Sequence, residues 1–127
     1  MTDSIREKIF NTLKKNIKKF SPPMVQYDSA HHDLNLIGNK AVPYGSDKKI
    51  IPGMYFASIA HRKQSVTFHF FPCYLNTRLK SIAPTLYKCL KGKTCFHFKK
   101  PDQVNEKELQ TLLKAGVRAW KKAGYMK

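Results

Sequence analysis

The strongest hydrophobic patterning lies at the centre of the chain. Two apolar-rich runs, Met54-Tyr-Phe-Ala-Ser-Ile-Ala-His61 and Ser65-Val-Thr-Phe-His-Phe-Phe71, flank the polar break Arg62-Lys63-Gln64. Runs of this kind around a short break predict a β-hairpin. A two-residue turn at Lys63-Gln64 pairs Ile59 with Phe68 and Ala57 with Phe70. Tyr55, Ala57, Ile59, Val66, Phe68 and Phe70 then share the core face, and Ser58, Ala60, Thr67 and His69 share the other. Thr94-Cys-Phe-His-Phe98 predicts a further strand of the same sheet, ended by Lys99-Lys100-Pro101.

Helical periodicity marks both ends of the chain. Ile5, Ile9, Leu13, Ile17 and Phe20 recur at helical spacing with Phe10 beside them, and lysines fill the positions between. Ser4-Ile-Arg-Glu7 has the form of a capping box, and Ser21-Pro22-Pro23 stops the helix. A basic amphipathic helix can also lie on a membrane surface or an acidic partner. The same stripe is what a helix packed on a sheet requires, and that reading is preferred. Near the other end, Asn105 with Glu108 opens a second helix striped by Leu109, Leu112, Leu113, Gly116, Val117 and Trp120. Gly116 within the stripe predicts close approach of a neighbouring element, and Gly124 ends the helix.

Between these landmarks the pattern is weaker. Met24-Val-Gln-Tyr27 and Asp33-Leu-Asn-Leu-Ile37 predict short strands at the sheet edge. Gly38-Asn39 predicts a turn, Lys40-Ala-Val-Pro-Tyr44 a short run, and Gly45-Ser-Asp-Lys-Lys49 a loop, with Pro52-Gly53 turning into the hairpin. Leu75, Leu79 and Ile82 suggest a short helical or irregular segment. Pro84 opens a helix predicted to run to Leu90, burying Leu86 and Leu90, with Gly92 as its C-terminal cap. The sum is one α+β domain over residues 1–127: an antiparallel sheet, amphipathic helices at the N- and C-terminal ends, and a short helix before the last strand.

Charge changes the picture of partners more than that of the fold. The 127 residues carry 24 Lys and Arg against 8 Asp and Glu, a formal charge of +16. From Lys48 to Lys100 there is no acid, while eleven Lys or Arg residues fall in that span. The bland reading is a solvated lysine-rich surface; the functional one is a site for anions. No run is long enough to span a membrane. Cys73, Cys89 and Cys95 are odd in number and form no Cys-x-x-Cys pair, and no signal peptide is evident. The expectation is reduced thiols in a cytoplasmic protein.

Several strings carry a family resemblance: Met54-Tyr-Phe-Ala-Ser-Ile-Ala, Val66-Thr-Phe-His-Phe-Phe-Pro-Cys-Tyr74, Ile82-Ala-Pro-Thr-Leu and Gly92-Lys-Thr-Cys-Phe-His-Phe-Lys-Lys100. Together they resemble the YdhG-like superfamily of small bacterial proteins of unknown function, over roughly Ser4 to Gly124. The resemblance implies an α+β fold with an antiparallel sheet and terminal helices. One branch of that superfamily is described as a frataxin-like iron chaperone holding metal through acidic residues. The carboxylate-free centre departs from that pattern. The family brings no catalytic residues to transfer.

Candidate chemistry is sparse. His69, Cys95 and His97 alternate away from the core phenylalanines and converge if their strands are neighbours. His and Cys suit zinc, but no fourth ligand is evident, so no metal site and no cofactor is assigned. His31-His32 with Asp28 and Asp33 is a second cluster, in a predicted loop. A Cys-His nucleophile, Cys95 or Cys73 with His69, lacks an orienting third residue and an oxyanion hole, so enzymatic function is not favoured. The favoured function is a non-enzymatic binding module for a small anionic ligand or a protein partner, on a sheet face lined by Ser58, Thr67, His69, Cys95 and His97. The alternative is nucleic-acid binding without sequence specificity, through Arg62, Lys63, Lys91, Lys93, Lys99 and Lys100. Tyr55, Phe71, Tyr74 and Tyr87 are interleaved with that basic centre as stacking platforms.

Overall fold

A computed structural model describes residues 2–27, 33–75 and 78–127. Helix α1 spans Asp3–Lys18. Strands β1 (Val25–Gln26), β2 (Leu34–Ile37), β3 (Val42–Tyr44), β4 (Lys49–Ile51), β5 (Tyr55–His61) and β6 (Val66–Phe70) follow. A 3-10 turn at Phe71–Tyr74 leads to the single-turn helices α2 (Leu79–Ile82) and α3 (Pro84–Tyr87). Strands β7 (Leu90–Lys91) and β8 (Cys95–Phe98), a second 3-10 turn at Pro101–Gln103 and helix α4 (Glu106–Ala123) complete the chain. Six strands form one antiparallel sheet in the order β1-β2-β5-β6-β8-β7, while β3 and β4 pair separately. The α+β class with helices at both ends is therefore as the periodicity predicts.

The central hairpin has the predicted register: Ala57 faces Phe70, Ile59 faces Phe68, and Arg62 N–H donates to Ser65 O at 2.9 Å to close the Lys63-Gln64 turn. One residue of the predicted core face is wrong. Where β2 meets β5, Leu36 pairs with Ala57 but Ile37 pairs with Tyr55, so Phe56 is an extra residue. This bulge turns Phe56 into the core, against Phe70 and Trp120, with ring centroids at 5.4 and 5.9 Å. Tyr55 leaves the core face and meets Tyr44 and Phe71 instead.

Both long helices pack on the same face of the sheet. Ile9, Leu13 and Ile17 of α1 and Leu109, Leu112, Leu113 and Trp120 of α4 join Ile59, Phe68, Phe96 and Phe98 in one buried cluster. Ile5, predicted within the stripe, is 37% exposed and lies outside the buried cluster. Gly116 is buried where the Phe70 and Phe56 rings come closest to α4, so the predicted close approach is present. Asn16 ties the two helices by donating to Glu106 Oε1 at 2.9 Å and accepting from the Gln110 side chain.

The caps differ in detail from the sequence reading. Thr2, not Ser4, caps α1, its hydroxyl accepting from Ile5 N at 3.2 Å. Glu7 is thereby released to His61, whose Nε2 lies 2.7 Å from Glu7 Oε1. The His61 ring stacks on Phe10, and its Nδ1 lies 3.2 Å from Asp33 Oδ2. At α4, Asn105 caps as expected, accepting from Glu108 N at 3.0 Å. Glu108 sends Oε1 across to α3, where it accepts from Thr85 N and Leu86 N at 2.9 and 3.1 Å.

Three segments correct the expectation. β2 is interior, between β1 and β5, and fully buried rather than at the edge. Lys49 opens a strand, β4, that the preceding loop chemistry hides. The helix predicted from Pro84 to Leu90 stops after Tyr87, because Leu90 and Lys91 pair with Phe96 and Cys95. Gly92, at φ +76°, serves the β7–β8 turn and not a helix end.

Candidate functional site

The sheet face turned away from α1 and α4 carries the residues singled out from sequence. Antiparallel pairing sets Ser58 opposite His69, Thr67 opposite His97, and His69 opposite Cys95. Paired residues project to the same side, so all five stand together. Cys95 Sγ lies 3.2 Å from His97 Nε2 and 3.6 Å from His69 Nε2. His69 also stacks on Phe71, centroids 6.4 Å apart. Ser58 and Thr67 sit beneath this cluster, 1% and 3% exposed, and neither hydroxyl has a hydrogen-bond partner among the described residues. A buried hydroxyl without a partner is costly, which marks this face as unusual.

Three of the six cations assigned to the basic centre gather here. Lys91 pairs with Cys95, and Lys99 follows His97 at strand spacing on the same face. Burial first, then the charges of Lys91, Lys99 and Arg62, hold the His97 imidazole below its ordinary range. Burial raises the Cys95 thiol, with Arg62 partly offsetting it. The Cys95–His97 pair therefore favours its neutral form in a positive field. Lys63 and Lys100 are placed otherwise: the Lys63 carbonyl accepts from Arg6 at 3.3 Å, and Lys100 leads into the Pro101–Gln103 turn. Lys93 lies in the β7–β8 turn.

A nucleophilic thiol acts as its thiolate, and burial keeps both Cys95 and Cys73 protonated. Cys73 reaches Tyr87 Oη at 3.2 Å. Among the described residues no group of three or more His, Cys, Asp or Glu is arranged to hold a metal ion. The His69–Cys95–His97 contacts are hydrogen bonds. Of the second cluster, Asp28, His31 and His32 lie outside the described residues; Asp33 contacts His61.

Sequence reasoning missed the cavities. One is lined by Tyr44, Tyr55, Phe71, Tyr74 and Trp120 among others, and a second by Arg78, Arg118 and Lys122 with small α4 residues. Of the aromatics named as stacking platforms, Tyr55, Phe71 and Tyr74 line the first, while Tyr87 packs on Phe96 in the core. Among the described residues no helix is long and apolar enough to cross a membrane. Compared with known proteins, the chain matches no family model, no curated protein and no solved structure.

Proposed function

We propose that this chain is a non-enzymatic binding module that takes a small anion on its outer sheet face. The observation that carries the reading is geometric: strand pairing sets Lys91 opposite Cys95, Lys99 follows His97 at strand spacing, and with Arg62 they surround the partly exposed Cys95–His97 pair with positive charge. Each charge that shifts His97 is positive. An anion seated there accepts from imidazole N–H and from the cations. The resemblance to the YdhG-like superfamily supports a small bacterial domain without catalytic machinery, and the unpaired cysteines support a cytoplasmic setting.

The test is a histidine-ring NMR titration with inorganic phosphate. Binding places negative charge beside His97, so its titration midpoint moves up, and Arg62→Ala or Lys91→Ala weakens binding about tenfold. A His97 midpoint indifferent to phosphate overturns the reading. The same cations favour a second reading, nucleic-acid binding. Single-stranded oligonucleotide held by three cations loses affinity with a log–log salt slope of about −2. That slope, reduced to about −1.4 by either substitution and without a phosphate effect, would replace the small anion by a polyanion.

A further inference from the structure

Apart from the outer face, two cavities adjoin at the exposed side chain of Leu75, which lines both. The first, of about 310 Å³, is walled by rings. Tyr44 meets Tyr55 edge-on at 5.4 Å, Tyr55 meets Phe71 at 5.7 Å, and Phe71 meets Tyr74 at 6.4 Å. Trp120 closes the cleft from α4, its indole N–H reaching Met54 O at 3.5 Å. Tyr74 is 59% exposed and Tyr44 46%, so the row of rings is open to a ligand. The second cavity, of about 520 Å³, has a floor of Ala115 and Ala119 and a rim of Arg78, Arg118 and Lys122.

Arg118 and Lys122 stand one helical turn apart on the exposed side of α4. Neither is in an ion pair among the described residues. Like charges at this spacing disfavour one another, and a dianion between them relieves that repulsion. Aromatic walls take the flat face of a ring system at little cost in sequence or orientation. Guanidinium and ammonium groups take a phosphate. We infer that these two cavities together form a site for a mononucleotide-like ligand, a planar ring in the aromatic cleft with its phosphate on Arg118 and Lys122. This site adjoins the outer sheet face where Phe71 stacks on His69 but shares no cation with it, and each stands if the other fails.

Trp120 is the single tryptophan of the chain, so its emission reports on the cleft. Adenosine 5′-monophosphate is titrated against the intact chain, with adenosine and inorganic phosphate as controls. The expected result is saturable quenching by the nucleotide, with adenosine at least about tenfold weaker. Phosphate should compete with the nucleotide without quenching. Arg118→Ala should remove the preference for nucleotide over nucleoside, and Tyr74→Ala should weaken both. Lys91→Ala, on the outer face, should leave the titration unchanged. All three side chains are exposed, and Lys122→Ala repeats the charge test if Arg118→Ala perturbs the fold. Equal affinity for nucleotide and nucleoside, nucleotide binding unaffected by both charge substitutions, or no saturable quenching at millimolar concentration would each overturn the inference.

Discussion

Gly116→Ala isolates one packing contact with a clear sign. In the interior of an exposed helix this substitution stabilises by about 1 kcal/mol, because glycine is the poorer helix former. At Gly116 the outcome should reverse. A Cβ built there overlaps the tip of the Phe70 ring and lies 3.0 Å from Phe56 Cε1. Both rings are fully buried and held against each other at 5.4 Å, so neither can swing into solvent. Overpacking of this kind costs about 1–3 kcal/mol. Set against the propensity gain, the net is a loss of about 1 kcal/mol, or about 3–6 °C in Tm for a chain of this length. Urea and thermal unfolding followed by circular dichroism measure it. Phe70→Leu alone leaves a gap and destabilises, but combined with Gly116→Ala it makes room for the methyl group, so the double variant should lose less than the sum. A stabilised Gly116→Ala, or strict additivity, would refute the argument that α4 and the sheet touch through this glycine.

Two further outcomes follow from contacts already described. Because burial and cations hold His97 below its ordinary value of about 6.5, the unfolded chain takes up that proton first. Stability should therefore fall as pH drops through about 6.5 and level off below the folded value. Urea midpoints across that window should fall more steeply for wild type than for His97→Gln, and identical profiles would refute the assignment. His61→Ala should cost about 1–2 kcal/mol by removing the Phe10 stack and the Asp33 contact. Hydrogen exchange should quicken in the first turns of α1 before α4; uniform quickening would show that His61 does not tether that helix.

What was legible in the chain depended on how local its cause is. The turn at Lys63-Gln64 and the register across it follow from two alternating runs close in sequence, and so does the shared face of Ser58, Thr67 and His69. The meeting of His69 with Cys95 and His97 needed only that β6 and β8 be neighbours. The bulge at Phe56 was hidden because it arises from pairing with β2, a distant segment with little alternation of its own. Leu86 and Leu90 stand at helical spacing, yet Leu90 belongs to a strand because Phe96 pairs with it. Ser4 and Thr2 offer the same hydroxyl chemistry two residues apart, and pattern alone does not choose between them. The cavities were least legible of all, since their walls come from β3, β5, the Phe71–Tyr74 turn and α4 at once.

The same distinction accounts for where the charge ends up. Of the acids, Asp3 pairs with Arg6, and Glu7 and Asp33 both contact His61. Asp47 accepts from Lys49 N, Glu106 from Asn16 and Lys15, and Glu108 from the first turn of α3. Nearly all of this is spent on helix ends, turns and the seams between helices and sheet. None of these carboxylates reaches His97 or the groove of Arg118 and Lys122. The chain's excess of 24 cations over 8 acids is therefore felt at the outer sheet face, beside the partly buried Cys95 and His97, and at the exposed Arg118 and Lys122 of α4. Surface lysines scattered in water would do little beyond keeping the chain soluble. Cations gathered beside half-buried hydrogen-bond donors, or at the mouth of an aromatic cleft, select for anions. That difference in placement, not the size of the net charge, is what makes anion recognition the reading to test.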